Sequence, residues 1–261
     1  MRHTERADPA FTHEGYRSLL STALESGYSF VDYDTAMASV RQSESKLLCV
    51  LRHDCDNDLV AAHFQAMIEA ELGIMSTYFI FLRSAFYNPF SQPNRQLLND
   101  IISKGHRLGL HFDEHAYPGL DDDAMAKRVE IEREWMSREY GAPVDAVSFH
   151  QPTSRVLENL IKIDCTNTYD REDMAGIFYI SDSNKGWKNQ SPSDLFRNRT
   201  HQRIQILVHP EWWTPKPVTV LENWRQMYRH QFMLAQDQAL VRELSYDERQ
   251  LLLFETEGDA V

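Results

Sequence analysis

Two histidines four residues apart, His111 and His115 in Leu108-Gly-Leu-His-Phe-Asp-Glu-His115, and an acidic pair, Asp54 and Asp56, are the side chains best suited to chemistry in this chain. Imidazoles at that spacing can share one divalent ion where the segment turns helically. A carboxylate from elsewhere then completes a facial site with positions left for water and substrate. The pair alone is a weak signal, because the chain holds eleven histidines. Placement strengthens it. His111 follows the apolar run Arg107-Leu-Gly-Leu110 and Asp54 follows Lys46-Leu-Leu-Cys-Val-Leu51, so each ends a predicted buried strand. Ala146-Val-Ser-Phe149 delivers His150 in the same way, Ile177-Phe-Tyr-Ile180 delivers Asp182, and Ile204-Gln-Ile-Leu-Val208 delivers His209. Barrels of parallel strands gather their catalytic groups at such carboxyl ends. Polar groups from five strands are therefore expected on one rim.

The elements that must position them alternate along the chain. Helices are predicted over Pro9 to Gly27, with Asp8 as N-cap, and over Leu59 to Leu72, Asn94 to Ser103, Asp121 to Tyr140 and Glu222 to Leu244. Strands are predicted near Val50, Phe79, Leu108, Val147, Thr166, Phe178 and Ile206. Residues 181–200 are polar and predicted irregular, suited to a substrate-side loop. The βαβα order predicts an α/β fold, a distorted seven-stranded parallel barrel. Residues 1–45 form a helical appendage packed on it and residues 46–261 the barrel, one domain in all.

Composition narrows the partners. With 261 residues and 42% hydrophobic content the chain can bury a large core. A formal charge of −12 argues against a nucleic-acid surface, which needs clustered Lys and Arg. Cys49, Cys55 and Cys165 are too few and scattered for a disulfide framework, and no apolar run is long enough to span a bilayer. A cytoplasmic protein is expected, with a small-molecule or glycan substrate, no nucleic acid and no membrane span; homo-oligomerisation is left open.

Leu51-Arg-His-Asp-Cys-Asp56, Gly105-His-Arg-Leu-Gly-Leu-His-Phe-Asp-Glu-His115, Ser148-Phe-His-Gln-Pro152 and Ile206-Leu-Val-His209 resemble, in that order, the motifs of the polysaccharide deacetylase (NodB-type, carbohydrate esterase family 4-like) family. The resemblance spans roughly residues 46–210 and implies the NodB-type barrel. It implies Asp54 as general base, Asp56, His111 and His115 as ligands of one divalent ion, zinc being expected, and His209 as general acid. The chain departs from the family pattern in three places. The glycine after the aspartate pair is absent, Phe112 stands where Ser or Thr is usual, and His150 stands where the third motif has the arginine that steadies the base.

The chemistry implied is metal-dependent hydrolysis of a non-peptide C–N bond, above all N-deacetylation of a sugar or sugar conjugate. A metal-bound water is more acidic and the metal polarises the acyl oxygen, while a base and an acid move the protons. Asp113 and Glu114 could orient the ligand histidines. His150, Asp182, Trp187 and Trp212 are the candidate substrate contacts, the tryptophans through their ring faces. Against these stand plainer roles. Asp58 is read as the cap of the helix at Leu59, His53 and His63 as structural, and Cys55 as a small buried residue. Two other functions stay open: a deacetylase fold kept as a binding or regulatory protein, and hydrolysis of a ureido or cyclic amide bond.

Overall fold

The computed structural model describes residues 10–188 and 190–242. Its strands are β1 (Ser29–Phe30), β2 (Leu48–Cys55), β3 (Thr77–Phe81), β4 (Arg107–Phe112), β5 (Ala146–Phe149), β6 (Thr166–Asn167), β7 (Phe178–Ser181) and β8 (Arg203–Val208). The helices are α1 (His13–Glu25), α2 (Tyr33–Arg41), α3 (Leu59–Glu71), α4 (Gln92–Ser103), α5 (Asp122–Tyr140), α6 (Ser154–Leu157), α7 (Pro192–Asn198) and α8 (Val220–Arg242). Two compact units divide the chain at 220/221. The first holds the sheet and the second begins within α8.

The sheet runs β6-β5-β4-β3-β2-β8-β7, every pairing is parallel, and it curls without pairing β6 to β7. It is an α/β half-barrel of alternating strands and helices, open at one seam. All seven predicted strands are present. β1 is an addition: it pairs with the start of β2, so the segment before residue 46 contributes to the sheet as well as two helices.

Sequence explains the layering. β2 is buried along its whole length, and strand periodicity sends alternate side chains to opposite faces. His53 and Cys55 turn outward to the helices; Arg52 and Asp54 turn into the curl. Leu59, Ala62 and Ala66 of α3, Leu98 and Ile101 of α4, and Met125, Val129 and Met136 of α5 close the outer core. On the inner side Tyr33, Ala36 and Met37 of α2 pack on Val50, Phe79 and Ala146. Gly109 makes room there, because a Cβ at that position would lie 2.5 Å from the Phe79 ring.

The Asp58 cap read from the sequence is present. Asp58 accepts from the N–H groups of Val60 and Ala61, Asp121 caps α5, and Gly141 ends α5 at φ +61°. The expected Asp8 cap lies outside the described residues; α1 begins later, on Thr12. Within 181–200, expected to be irregular, Ser191 caps the short helix α7.

A buried polar knot joins α1 to the barrel. Glu69 of α3 meets His53 Nε2 at 2.8 Å, Ser76 Oγ at 2.5 Å and Tyr78 OH at 3.0 Å, accepts from Tyr16 OH, and lies 3.5 Å from His106 Nδ1. His53 stacks on Tyr78 with ring centroids 4.1 Å apart. His53 and Glu69 are thus structural partners. Among the described residues no helix is long and apolar enough to cross a membrane.

Candidate metal and catalytic site

Strand ends bring three donor atoms together. Asp56 lies just beyond β2, His111 is the fifth residue of β4, and His150 follows β5. Asp56 Oδ1 is 3.0 Å from His111 Nε2 and 3.4 Å from His150 Nδ1, and the two nitrogens are 3.2 Å apart. Around a tetrahedral zinc with bonds of ~2.0–2.1 Å, neighbouring ligand atoms are separated by roughly 3.3 Å, so the triangle fits one face of such a site. Asp56 Oδ1 is buried and receives no well-aligned hydrogen bond. A cation is the partner that a buried anionic oxygen flanked by two imidazole nitrogens lacks.

His115 does not join this group. His111 sits in extended backbone, where residues four apart do not share a helical face, and the chain then turns into a short 3-10 segment, Glu114–Ala116. The His115 side chain is 54% exposed, and its Nδ1 lies 3.3 Å from Asp113 Oδ1. The helical turn expected to pair His111 with His115 is therefore missing, and His150, expected to touch substrate, fills the third corner. Asp113 caps the 3-10 turn. Glu114 grips Thr153 through its N–H at 2.7 Å and its hydroxyl at 2.9 Å, so it anchors the loop that carries His150 without touching either ring.

Asp54 is buried beside the triangle. Arg52 donates from Nε to Oδ1 at 2.8 Å and from Nη2 to Oδ2 at 2.7 Å, and Ser148 Oγ lies 3.2 Å from Oδ1. Burial opposes its charge, but the Arg52 guanidinium, helped by His111, outweighs it and holds the carboxyl below its ordinary range. Asp56 is likewise lowered, its burial outweighed by His111 and His150. His150 shows the converse: burial disfavours its cation, yet Asp56 raises its pKa. Ser148 also meets His111 Nδ1 at 2.5 Å, which leaves Nε2 turned to the triangle.

His209 comes from the other side of β2. It follows Val208, which pairs with His53, and so flanks Asp54. Asp182 takes its Nδ1 at 2.7 Å and accepts its backbone N–H at 3.0 Å, and also accepts from Trp213 Nε1 at 2.9 Å. Burial works against the charged ring, but Asp182 and then Glu211 push its pKa up to about 10. Asp182 is fully buried and engaged in this way, not available to a substrate. Trp187 and Trp212 are each only 8% exposed, and Trp187 stacks on Phe11 at 5.9 Å, so neither offers the open ring face expected of it.

Three contributors escaped the sequence reading. Arg52 and Ser148 lie inside the quoted motifs but received no role, although their period-two relation to Asp54 and His150 was available. Glu211 accepts from Asn57 Nδ2 at 2.8 Å, and burial, then the nearby Asp56 charge, push its carboxyl up to about 8. Cys55 is buried with its thiol well above the usual range, through burial and then Asp54, which removes it as a nucleophile. His63 pairs with Asp100 at 2.5 Å, away from the triangle.

No family model and no curated protein matches the chain. Among solved structures it is similar to a carbohydrate esterase family 4 (CE4) pseudoenzyme from Bacillus anthracis, at 11% identity and a TM-score of 0.43, over 72% of this chain and 62% of that one. It is also similar to a Streptococcus pyogenes deacetylase solved with acetate, at 12% identity and a TM-score of 0.47, over 70% of this chain and 84% of that one. The chitin deacetylase of the fungal pathogen Colletotrichum lindemuthianum matches at 14% identity and a TM-score of 0.43, over 72% and 83%. The chain spans less than two thirds of the length of the first of these.

Proposed function

We propose that this protein is a metal-dependent deacetylase of the polysaccharide deacetylase type, cleaving the N-acetyl amide of a sugar or sugar conjugate. The observation that carries the reading is the Asp56–His111–His150 triangle, flanked on one side by an ionised, arginine-held Asp54 and by the His209–Asp182 pair. Two imidazoles and one carboxylate suit zinc among the divalent ions. Buried free thiols at Cys49 and Cys55 agree with a reducing compartment, the cytoplasm.

When bound there, a divalent ion supplies Lewis-acid polarisation of the acyl oxygen and a more acidic water. Asp54 is the chain's base: its carboxylate stays ionised and takes the proton of the attacking water. His209 is the acid. Its Nδ1 is committed to Asp182, so Nε2 carries the proton that goes to the departing amine nitrogen. Amide cleavage needs that proton because an unprotonated amine is a poor leaving group.

The test is acetate release from N-acetylglucosamine oligomers by zinc-loaded protein. Acetate that appears with zinc, disappears with a chelator and returns on re-addition is expected. Full zinc occupancy without acetate from any acetylated amino sugar would shift the protein to the binding or regulatory role.

A further inference from the structure

Asp54 is a carboxylate beside the metal triangle, the kind of side chain a divalent ion collects. Its Oδ2 is 3.9 Å from His111 Nδ1. What separates it from Asp56 is Arg52, two residues earlier on the same face of β2 and fully buried. Besides its two donations to Asp54, Arg52 donates from Nη1 to Thr168 Oγ1 at 2.9 Å and from Nη2 to Tyr169 OH at 3.2 Å. Its guanidinium carbon lies 5.3 Å from the Phe79 ring centre and 5.0 Å from that of Tyr169. A planar cation held by four hydrogen bonds and faced by two rings is fixed in orientation, and it fixes the carboxylate it grips.

Counting lone pairs shows what is left. A carboxylate offers about four acceptor sites on its two oxygens. Arg52 takes one on each, and Ser148 takes a second on Oδ1. The remaining site is on Oδ2.

Building on the deacetylase reading, we propose that Arg52 is a positioning residue that withholds Asp54 from the ion and leaves one acceptor site on its Oδ2 for the proton of the attacking water. Asp56, which has no guanidinium partner among the described residues, is then the carboxylate that coordinates. Arg52 reaches the base from the base's own strand, so position 150, where the resembling family carries an arginine, is free to present an imidazole. The two departures, no arginine at 150 and no second ligand from 115, become one rearrangement.

The experiment compares zinc affinity, by competition with a chromophoric chelator, and turnover of 4-nitrophenyl acetate in the native chain, R52Q and R52K. In R52Q, Asp54 is free to turn to the ion and no cation repels it. Zinc binding is expected to tighten by about tenfold while kcat falls by about a hundredfold or more. In R52K, which keeps the charge and loses the two-point grip, affinity should stay within about threefold and kcat should fall by about tenfold. A merely structural arginine would loosen zinc when removed. Unchanged or weaker zinc binding in folded R52Q therefore overturns the proposal and leaves the hydrolase reading standing. If R52Q does not fold, native kcat in R52K overturns it. A native protein that binds zinc but hydrolyses no acetyl ester or amide sinks the hydrolase reading, and the zinc comparison still decides the role of Arg52.

Discussion

His150 Nδ1 faces Asp56 Oδ1 at 3.4 Å across the rim of the half-barrel, each delivered by the end of a different strand. This contact exchanges the expected parts. The third-motif position supplies an imidazole to the triangle, and Arg52 supplies the guanidinium that holds Asp54, the proposed base.

Under the proposed mechanism the His209–Asp182 pair sets an upper pH limit. A general acid works while protonated, so activity should persist below the raised pKa of His209 and be lost as pH rises through about 10. In D182N the negative partner is gone, and the alkaline limb of kcat against pH should move down towards ~6.5, the ordinary histidine value. An alkaline limb unchanged in D182N would remove Asp182 from this role.

His209 should matter in proportion to the leaving group. H209A is expected to lose roughly a hundredfold or more in amide cleavage. The same variant should keep its zinc and lose far less with 4-nitrophenyl acetate, whose phenolate departs without a proton. Equal losses on both substrates, or zinc lost with the ring, would recast His209 as a ligand or scaffold.

Ser148 touches both His111 and Asp54, so under the proposed function its hydroxyl orients a ligand and the base together. S148A should weaken zinc binding by roughly tenfold, the usual effect of losing an outer partner of a metal-bound histidine. Isothermal titration would register this, and native affinity would show that the strand alone orients the ring.

The knot around Glu69 should make the fold acid-sensitive. Burial holds His106 below its ordinary pKa; burial pushes Glu69 the other way, but His53 outweighs it, and Glu69 is also lowered. Both groups therefore bind more protons when unfolded. Their stabilisation is complete above the unfolded values, begins to fade below ~6.5 for His106 and below ~4.5 for Glu69, and is lost through the folded ones. Melting temperature should fall as pH drops from 7 to 5, and H106Q should flatten that fall. The opposite sign, melting temperature rising towards pH 5 through this histidine, would refute it.

Much of the scaffold was legible because buried parallel strands read as short apolar runs and helices announce their caps. All seven predicted strands and the Asp58 cap follow from that. β1 escaped because a two-residue strand carries no periodicity. At the candidate site, the placement of Asp54, Asp56, His111, His150 and His209 at or just past strand ends was legible from the apolar runs before them. The spacing of His111 and His115 presupposed a helix, whereas His111 lies in β4 and the chain turns before His115. Trp187, Trp212 and Asp182 were given to substrate because sequence shows that a side chain is polar or aromatic and not whether neighbours have already buried it.

The most direct test of the metal site is zinc stoichiometry, by atomic absorption after dialysis, in the native chain, H111A, H150A and H115A. One ion per chain is expected in the native protein and in H115A, with loss in H111A and H150A. Zinc retained by H150A and lost by H115A would contradict the triangle and return the second imidazole to position 115.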